Sequence, residues 1–209
     1  MNFLSLVISF SISFALLLIA MTVHEFSHGL VAYKLGDSTA KLSGRLTLNP
    51  LAHIDLFWTI ICPLMLFMLT AGNFVFGAAK PVPVGYWNLK NPKRDMIWIG
   101  LAGPLSNFIL AFIVAGILRF IPVSGNSAYL LFNLLTINVV LAIFNLIPVP
   151  PLDGSRILMG LLPGQLSEGY ASLERYGFIV LFIFIWLGVF DRLLWPLVNL
   201  VIRMMGVGI

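Results

Sequence analysis

Two histidines and a glutamate stand close together in "TVHEFSHGL", residues 22–30, at the end of an almost wholly apolar run that begins at Phe3. On a helix, positions i and i+4 share a face, so His24 and His28 can offer two imidazole nitrogens to one cation. Glu25 lies one step round from His24 and can reach a water on that cation without ligating it. This is H-E-x-x-H spacing, in which a zinc ion lowers the pKa of a bound water and the glutamate takes its proton. Three fixed positions make a weak pattern in a soluble helix. In an apolar run they mean more, because an ionisable group at mid-membrane costs roughly 2.5–3.5 kcal/mol on insertion scales. A dication offsets the carboxylate's share of that cost. The competing reading is a pair of histidines hydrogen-bonded between helices.

Two imidazoles leave a zinc site incomplete, and few acidic residues can complete it at a similar depth. Among Glu25, Asp37, Asp55, Asp95, Asp153, Glu168, Glu174 and Asp191, only Asp153 directly ends a long apolar stretch, in "NLIPVPPLDGSRI". Prolines 148, 150 and 151 cannot continue a helical hydrogen-bond ladder. Gly154 then permits a close backbone approach or an unusual turn. The chain can thus aim a carboxylate sideways at a neighbouring helix; an interfacial aspartate at a plain helix end is the alternative.

These groups must be positioned by membrane helices. The chain has 209 residues, 60% hydrophobic and 10% charged, with a mean hydropathy of +1.02. A soluble domain carries about 25% charged residues, so the bilayer is the better solvent. The length allows one compact membrane domain, 1–209, and no sizeable soluble one. The net charge of +4 is small and its residues are dispersed, which fits membrane orientation and excludes a nucleic-acid partner. The single cysteine, Cys62, rules out an intrachain disulfide and has no CxxC partner for a metal knuckle. The N-terminus lacks the basic start and small-residue cleavage site of a signal peptide, so residues 3–23 are expected to stay as a helix.

The fold class expected is an all-α polytopic bundle of about four to six transmembrane helices. The spans fall at about 3–33, 97–120, 128–148 and 177–190, with a further helix across 193–205 after breaks at Asp191–Arg192 and Pro196. Segment 56–72 is short and carries Pro63 near its middle. Lys34, Lys41 and Arg45 precede it, and Lys80, Lys90, Lys93 and Arg94 follow it. A re-entrant path keeps all seven on the cytoplasmic side, as the positive-inside tendency prefers. Residues 41–55 alternate briefly around an Asn-Pro turn and predict a small β-hairpin in the interface. Residues 79–95 predict an extended, proline-punctuated loop. With the N-terminus outside, "VHEFSH" and "PPLDG" both fall near cytoplasmic helix ends.

Four motifs occur in order over about 130 residues: "HEFSH" (24–28), "NP" (49–50), "AGPLSN" (102–107) and "NLIPVPPLDG" (145–154). Together they resemble the site-2 protease family of intramembrane zinc metalloproteases, peptidase family M50, in the short bacterial and archaeal form without a PDZ domain. The resemblance implies one Zn2+ per chain, held by His24, His28 and Asp153, with Glu25 as catalytic base. It matches Asn145 to an asparagine that binds substrate or the developing oxyanion, beside which an interhelical hydrogen bond remains open. Asn107 can orient a ligand or seal helix packing, with Gly103 giving close contact; packing is the reading preferred. Asn49 belongs to the turn before His53. His53 can be a pH-sensitive gate, a substrate contact, a fourth metal ligand or an interfacial structural residue, and the last is preferred because a catalytic zinc keeps a position open. The substrate implied is a transmembrane protein segment in the lipid bilayer, cut in a prokaryotic cell membrane near the cytoplasmic side. A divalent-metal transporter is the alternative function. Oligomeric state is left open.

Overall fold

The computed structural model describes residues 3–70 and 77–207. Its α-helices are α1 Phe3–Lys34, α2 Thr39–Leu42, α3 Cys62–Leu69, α4 Pro92–Phe120, α5 Gly125–Asn145, α6 Asp153–Leu161, α7 Gly164–Ala171, α8 Gly177–Trp186 and α9 Val189–Met204. Among the described residues, three helices are long and apolar enough to cross a membrane: Leu4–Lys34, Pro92–Phe120 and Gly125–Asn145. α1 contains no proline, and at 1.5 Å per residue its 32 residues extend about 48 Å. That exceeds a hydrocarbon core of about 30 Å. Polar side chains inside these helices bond back to their own backbone: Thr22 donates to the Leu18 carbonyl at 2.6 Å, Ser27 to Val23 at 2.7 Å and Asn138 to Leu134 at 2.8 Å. Each such bond removes an unsatisfied polar group from an apolar setting.

α4 is the organising element, packing on α1, α5 and α6. On one side, Ala111, Val114 and Ala115 of α4 join Leu135 and Val139 of α5 and Val198 and Ile202 of α9 in a buried apolar cluster. At the other end the helix is lined with small residues. A Cβ on Gly100 of α4 would stand 3.0 Å from Ile157 and 3.1 Å from the Asp153 carbonyl, and one on Gly160 of α6 would stand 2.8 Å from the Lys93 carbonyl. Missing side chains therefore let α6 lie directly against α4.

Several sequence expectations are corrected. No β-hairpin forms at 41–55, and the described residues contain no strand. Thr39–Leu42 is a helical turn and Pro50–His53 a 3-10 turn. Side chains take the backbone groups that a ladder would need: the His53 ring donates to the Thr47 carbonyl at 2.9 Å, Thr47 Oγ1 accepts the Asn49 N–H, and Asn49 Oδ1 accepts the Leu51 N–H. The re-entrant path at 56–72 is not supported either. Leu56–Ile61 is a π-helical segment that runs directly into α3, and Pro63 opens α3 rather than interrupting it; residues 71–76, where such a path would turn, lie outside the described residues. Near the C-terminus, the helix breaks at Gly188, whose φ of 66° is left-handed. Asp191, Arg192 and Pro196 lie inside α9, so these residues do not break it. The span expected at 177–190 is therefore interrupted: α8 and α9 have 10 and 16 residues, and among the described residues three helices, rather than the four to six expected, have the length and apolarity of a membrane span. Within 79–95 the loop is extended to Gly85, turns over Tyr86–Asn88 and ends where Pro92 starts α4.

Candidate metal centre

α1 brings His24 and His28 onto the face that meets α4 at Gly103. A Cβ on Gly103 would stand 2.5 Å from His24 Cε1 and 2.6 Å from His24 Nε2, so only glycine leaves room for the rings. Asp153 opens α6, which Gly100 seats one turn away. Its placement depends on the loop before it. Gly154 lies under the Leu146 and Ile147 carbonyls, where a Cβ would come within 2.5 Å of the Ile147 oxygen. Tyr170 Oη donates to the Pro148 carbonyl at 2.6 Å. The loop, with its cis Pro150–Pro151 bond, is thus held from two sides.

The result is a nearly equilateral triangle of donor atoms. His24 Nε2 and His28 Nε2 are 3.0 Å apart, and they lie 3.0 and 3.1 Å from Asp153 Oδ2. All three residues are buried. Tetrahedral zinc with bonds of about 2.0–2.1 Å needs ligand atoms about 3.3 Å apart, so the donor set fits one small dication and leaves a fourth position. The His28 Nδ1–H donates to the Ile99 carbonyl at 2.6 Å, which leaves Nε2 with its lone pair toward the cluster. Asp153 Oδ1 faces Arg156 Nη1 at 3.5 Å, so the carboxylate presents one oxygen to the histidines. Among the described residues this is the one cluster of three or more His, Cys, Asp or Glu side chains able to hold a metal.

Glu25 lies beside the cluster and its Oε2 accepts the Val82 N–H at 2.8 Å. Gly29, one turn on, makes this possible, since a Cβ there would meet the Val82 side chain at 3.1 Å. The extended segment carrying Val82 is fastened along its length. The Ala78 and Lys80 N–H groups donate to the Trp58 and His53 carbonyls, at 3.1 and 2.9 Å. Arg45 Nη2 donates to the Lys80 carbonyl at 2.6 Å. Beyond Val82, the Gly85 N–H and Asn88 Nδ2 donate to Asp37 at 2.7 and 2.8 Å. A cavity of about 460 Å³ opens next to the cluster, lined by His24, Glu25, Ala79, Asn145, Arg156 and Glu174 among others.

Of the residues singled out in the sequence, His24, His28 and Asp153 converge, and Glu25 and Asn145 share their cavity. Asn145 Nδ2 also donates to the Leu141 carbonyl at 2.9 Å, an intrahelical bond rather than the interhelical one held open. Asn107 is fully buried and neither side-chain atom has a hydrogen-bond partner among the described residues. His53 and Asn49 organise the 47–53 turn, and neither is among the three side chains of the cluster. Sequence reasoning missed Asp37, Val82 and Arg156. Arg156 was available as the residue three beyond Asp153, one helical turn on; nothing local announced that Val82 reaches Glu25.

Two imidazoles, a carboxylate and a neighbouring glutamate make a set of side chains suited to metal-dependent hydrolysis. The family model described as Peptidase family M50 matches residues 12–126 and 121–188. The chain is 40% identical over 192 residues to YwhC of Bacillus subtilis strain 168, covering 88% of this chain and 84% of that protein. It is 30% identical over 172 residues to Rip2 of Mycobacterium tuberculosis H37Rv, covering 79% and 63%. It is 29% identical over 167 residues to the zinc metalloprotease MJ0392 of Methanocaldococcus jannaschii, covering 80% and 38%. The chain therefore spans less than two thirds of the length of the latter two. No solved structure matches it. The chain belongs to peptidase family M50, and it is a membrane metalloprotease of the site-2 protease type.

Proposed function

We propose that residues 1–209 act as one intramembrane protease domain that hydrolyses peptide bonds within or near transmembrane segments of membrane-anchored proteins, at the cytoplasmic side of a prokaryotic membrane. The observation that carries this reading is the convergence of His24 Nε2, His28 Nε2 and Asp153 Oδ2 beside Glu25. These three residues would hold one Zn2+, which when bound activates water and polarises the scissile carbonyl. Glu25 takes the water's proton and returns it to the leaving amine. Its Oε2 is already held by the Val82 N–H, which fixes the carboxylate while the other oxygen does the proton transfer. Asn145 has a second side-chain N–H beyond the one given to Leu141, and this donor steadies charge that develops on the carbonyl oxygen. Arg156 offsets the second Asp153 oxygen. The substrate helix must unwind before entering, because its carbonyls are otherwise engaged within the helix.

Purified protein in liposomes with a membrane-anchored substrate tests this. Glu25→Gln is expected to keep about one zinc per chain and lose cleavage by at least a hundredfold; full activity would remove the proposed base. Asp153→Ala is expected to lower the zinc-to-protein ratio, and unchanged zinc would remove that ligand. Metal flux across the liposome without proteolysis would favour transport instead. Transport has no support in the described residues, which provide no second cluster of ligands to continue a path.

A further inference from the structure

A second cavity, of about 320 Å³, lies where the end of α1 meets the start of α4 and is separate from the metal centre. Lys34, Lys90 and Arg94 line it, all exposed, and among the described residues none of the three is in an ion pair. The carboxylate in the lining, Asp95, is buried and turned to the backbone, where it accepts the Asn91 N–H at 2.9 Å. The lining is therefore net positive.

The backbone adds to the same field. α4 starts with Pro92 and its N-cap Asn91 makes no side-chain cap; the Asp95 N–H donates to the Asn91 carbonyl at 2.8 Å, which leaves the Lys93 and Arg94 amides without an intrahelical acceptor. Such a helix end favours an anion with oxygens to share. The candidate membrane spans Leu4–Lys34 and Pro92–Phe120 end and begin at this cavity, where a bilayer around them would present its headgroups. Trp98, one turn beyond Arg94 on the same face, is 51% exposed, as an indole at a membrane interface is.

We infer that this cavity binds the phosphate of one anionic lipid, its acyl chains running along α1 and α4 past Trp98. Lys34, Lys90 and Arg94 provide the charge, and the first turn of α4 provides the amides.

Native mass spectrometry of the full chain in detergent, given equal amounts of phosphatidylglycerol and phosphatidylcholine, tests the inference. One phosphatidylglycerol should stay bound in preference. The preference should fall at least about tenfold in Lys34→Gln/Lys90→Gln/Arg94→Gln and return in Lys34→Arg/Lys90→Arg/Arg94→Lys. Arg119→Gln, at the other end of α4, should leave it unchanged. An unaltered preference in the glutamine variant, or an equal loss in Arg119→Gln, overturns the site. Full displacement of the lipid by millimolar inorganic phosphate, or retention of an acidic peptide and no lipid, overturns the lipid as its occupant.

Discussion

At Gly103 the missing side chain is what brings α4 to the edges of two imidazole rings. An alanine there puts a methyl group 2.5–2.6 Å from His24 ring atoms, and those atoms belong to a stiff ring that must turn or withdraw. Gly103→Ala is therefore expected to weaken zinc binding at least tenfold, read by competition with a chelator, while helix content by circular dichroism stays at the wild-type level. Unchanged zinc affinity would mean that the rings have room the geometry denies. The same residue marks a limit of sequence reading. "AGPLSN" announces a helix that comes close to a neighbour, but small residues signal closeness equally well whether that neighbour is a leucine or a metal ligand. His24, Glu25 and His28 were legible because all three lie within two turns of one helix. Asp153 was legible because its broken, proline-rich approach is unusual in a membrane segment.

Between the helices, the segment from Ala78 to Asn88 behaves as a strap across α1, tied at Trp58, His53, Arg45, Glu25 and Asp37. Asp37 is its far anchor. Burial alone would raise the Asp37 pKa, but hydrogen bonds from Thr39, Asn88 and Gly85 outweigh it and hold the carboxyl below its ordinary value. A folded-state pKa below the unfolded one stabilises above about pH 3.9 and fades as pH falls through the lower folded value. The melting-temperature gap between wild type and Asp37→Asn should thus be full at neutral pH and close on acidification below about pH 4. At neutral pH, Asp37→Ala should cost about 2–4 kcal/mol and reduce kcat with zinc content unchanged, because a loosened strap no longer fixes Glu25. A gap that does not vary with pH would exclude the carboxylate as anchor. The bond from Thr39 N–H to Asp37 is a local Asx turn that a sequence can suggest. Those from Gly85 and Asn88 span 48 and 51 residues, a distance at which no periodicity speaks. The alternation at 41–55 misled for a related reason: a strand needs a partner, and here side chains took its hydrogen bonds first.

Across the whole molecule, α1 and α6 are each seated on α4, through Gly103 and Gly100, so helix packing as well as any bound ion holds the two halves of the metal centre together. Chelation should abolish proteolysis reversibly and leave the helical circular-dichroism signal in place, unlike small zinc domains that unfold without their ion; collapse of that signal would contradict the packing. The three long spans were plain from hydropathy, since length and apolarity alone define them. The break at Gly188 was not, because proline and charge looked like stronger interruptions than one glycine able to take a left-handed turn. The donor triangle, finally, has edges of only 3.0–3.1 Å, and the backbone of α4 stands behind the two rings. Calcium, with bonds of about 2.3–2.6 Å and six to eight oxygens to gather, would have to push those rings into a helix that has nowhere to retreat. The centre is thus expected to take zinc in preference to calcium, its two imidazoles setting the donor chemistry and Gly103 setting how far the rings can shift.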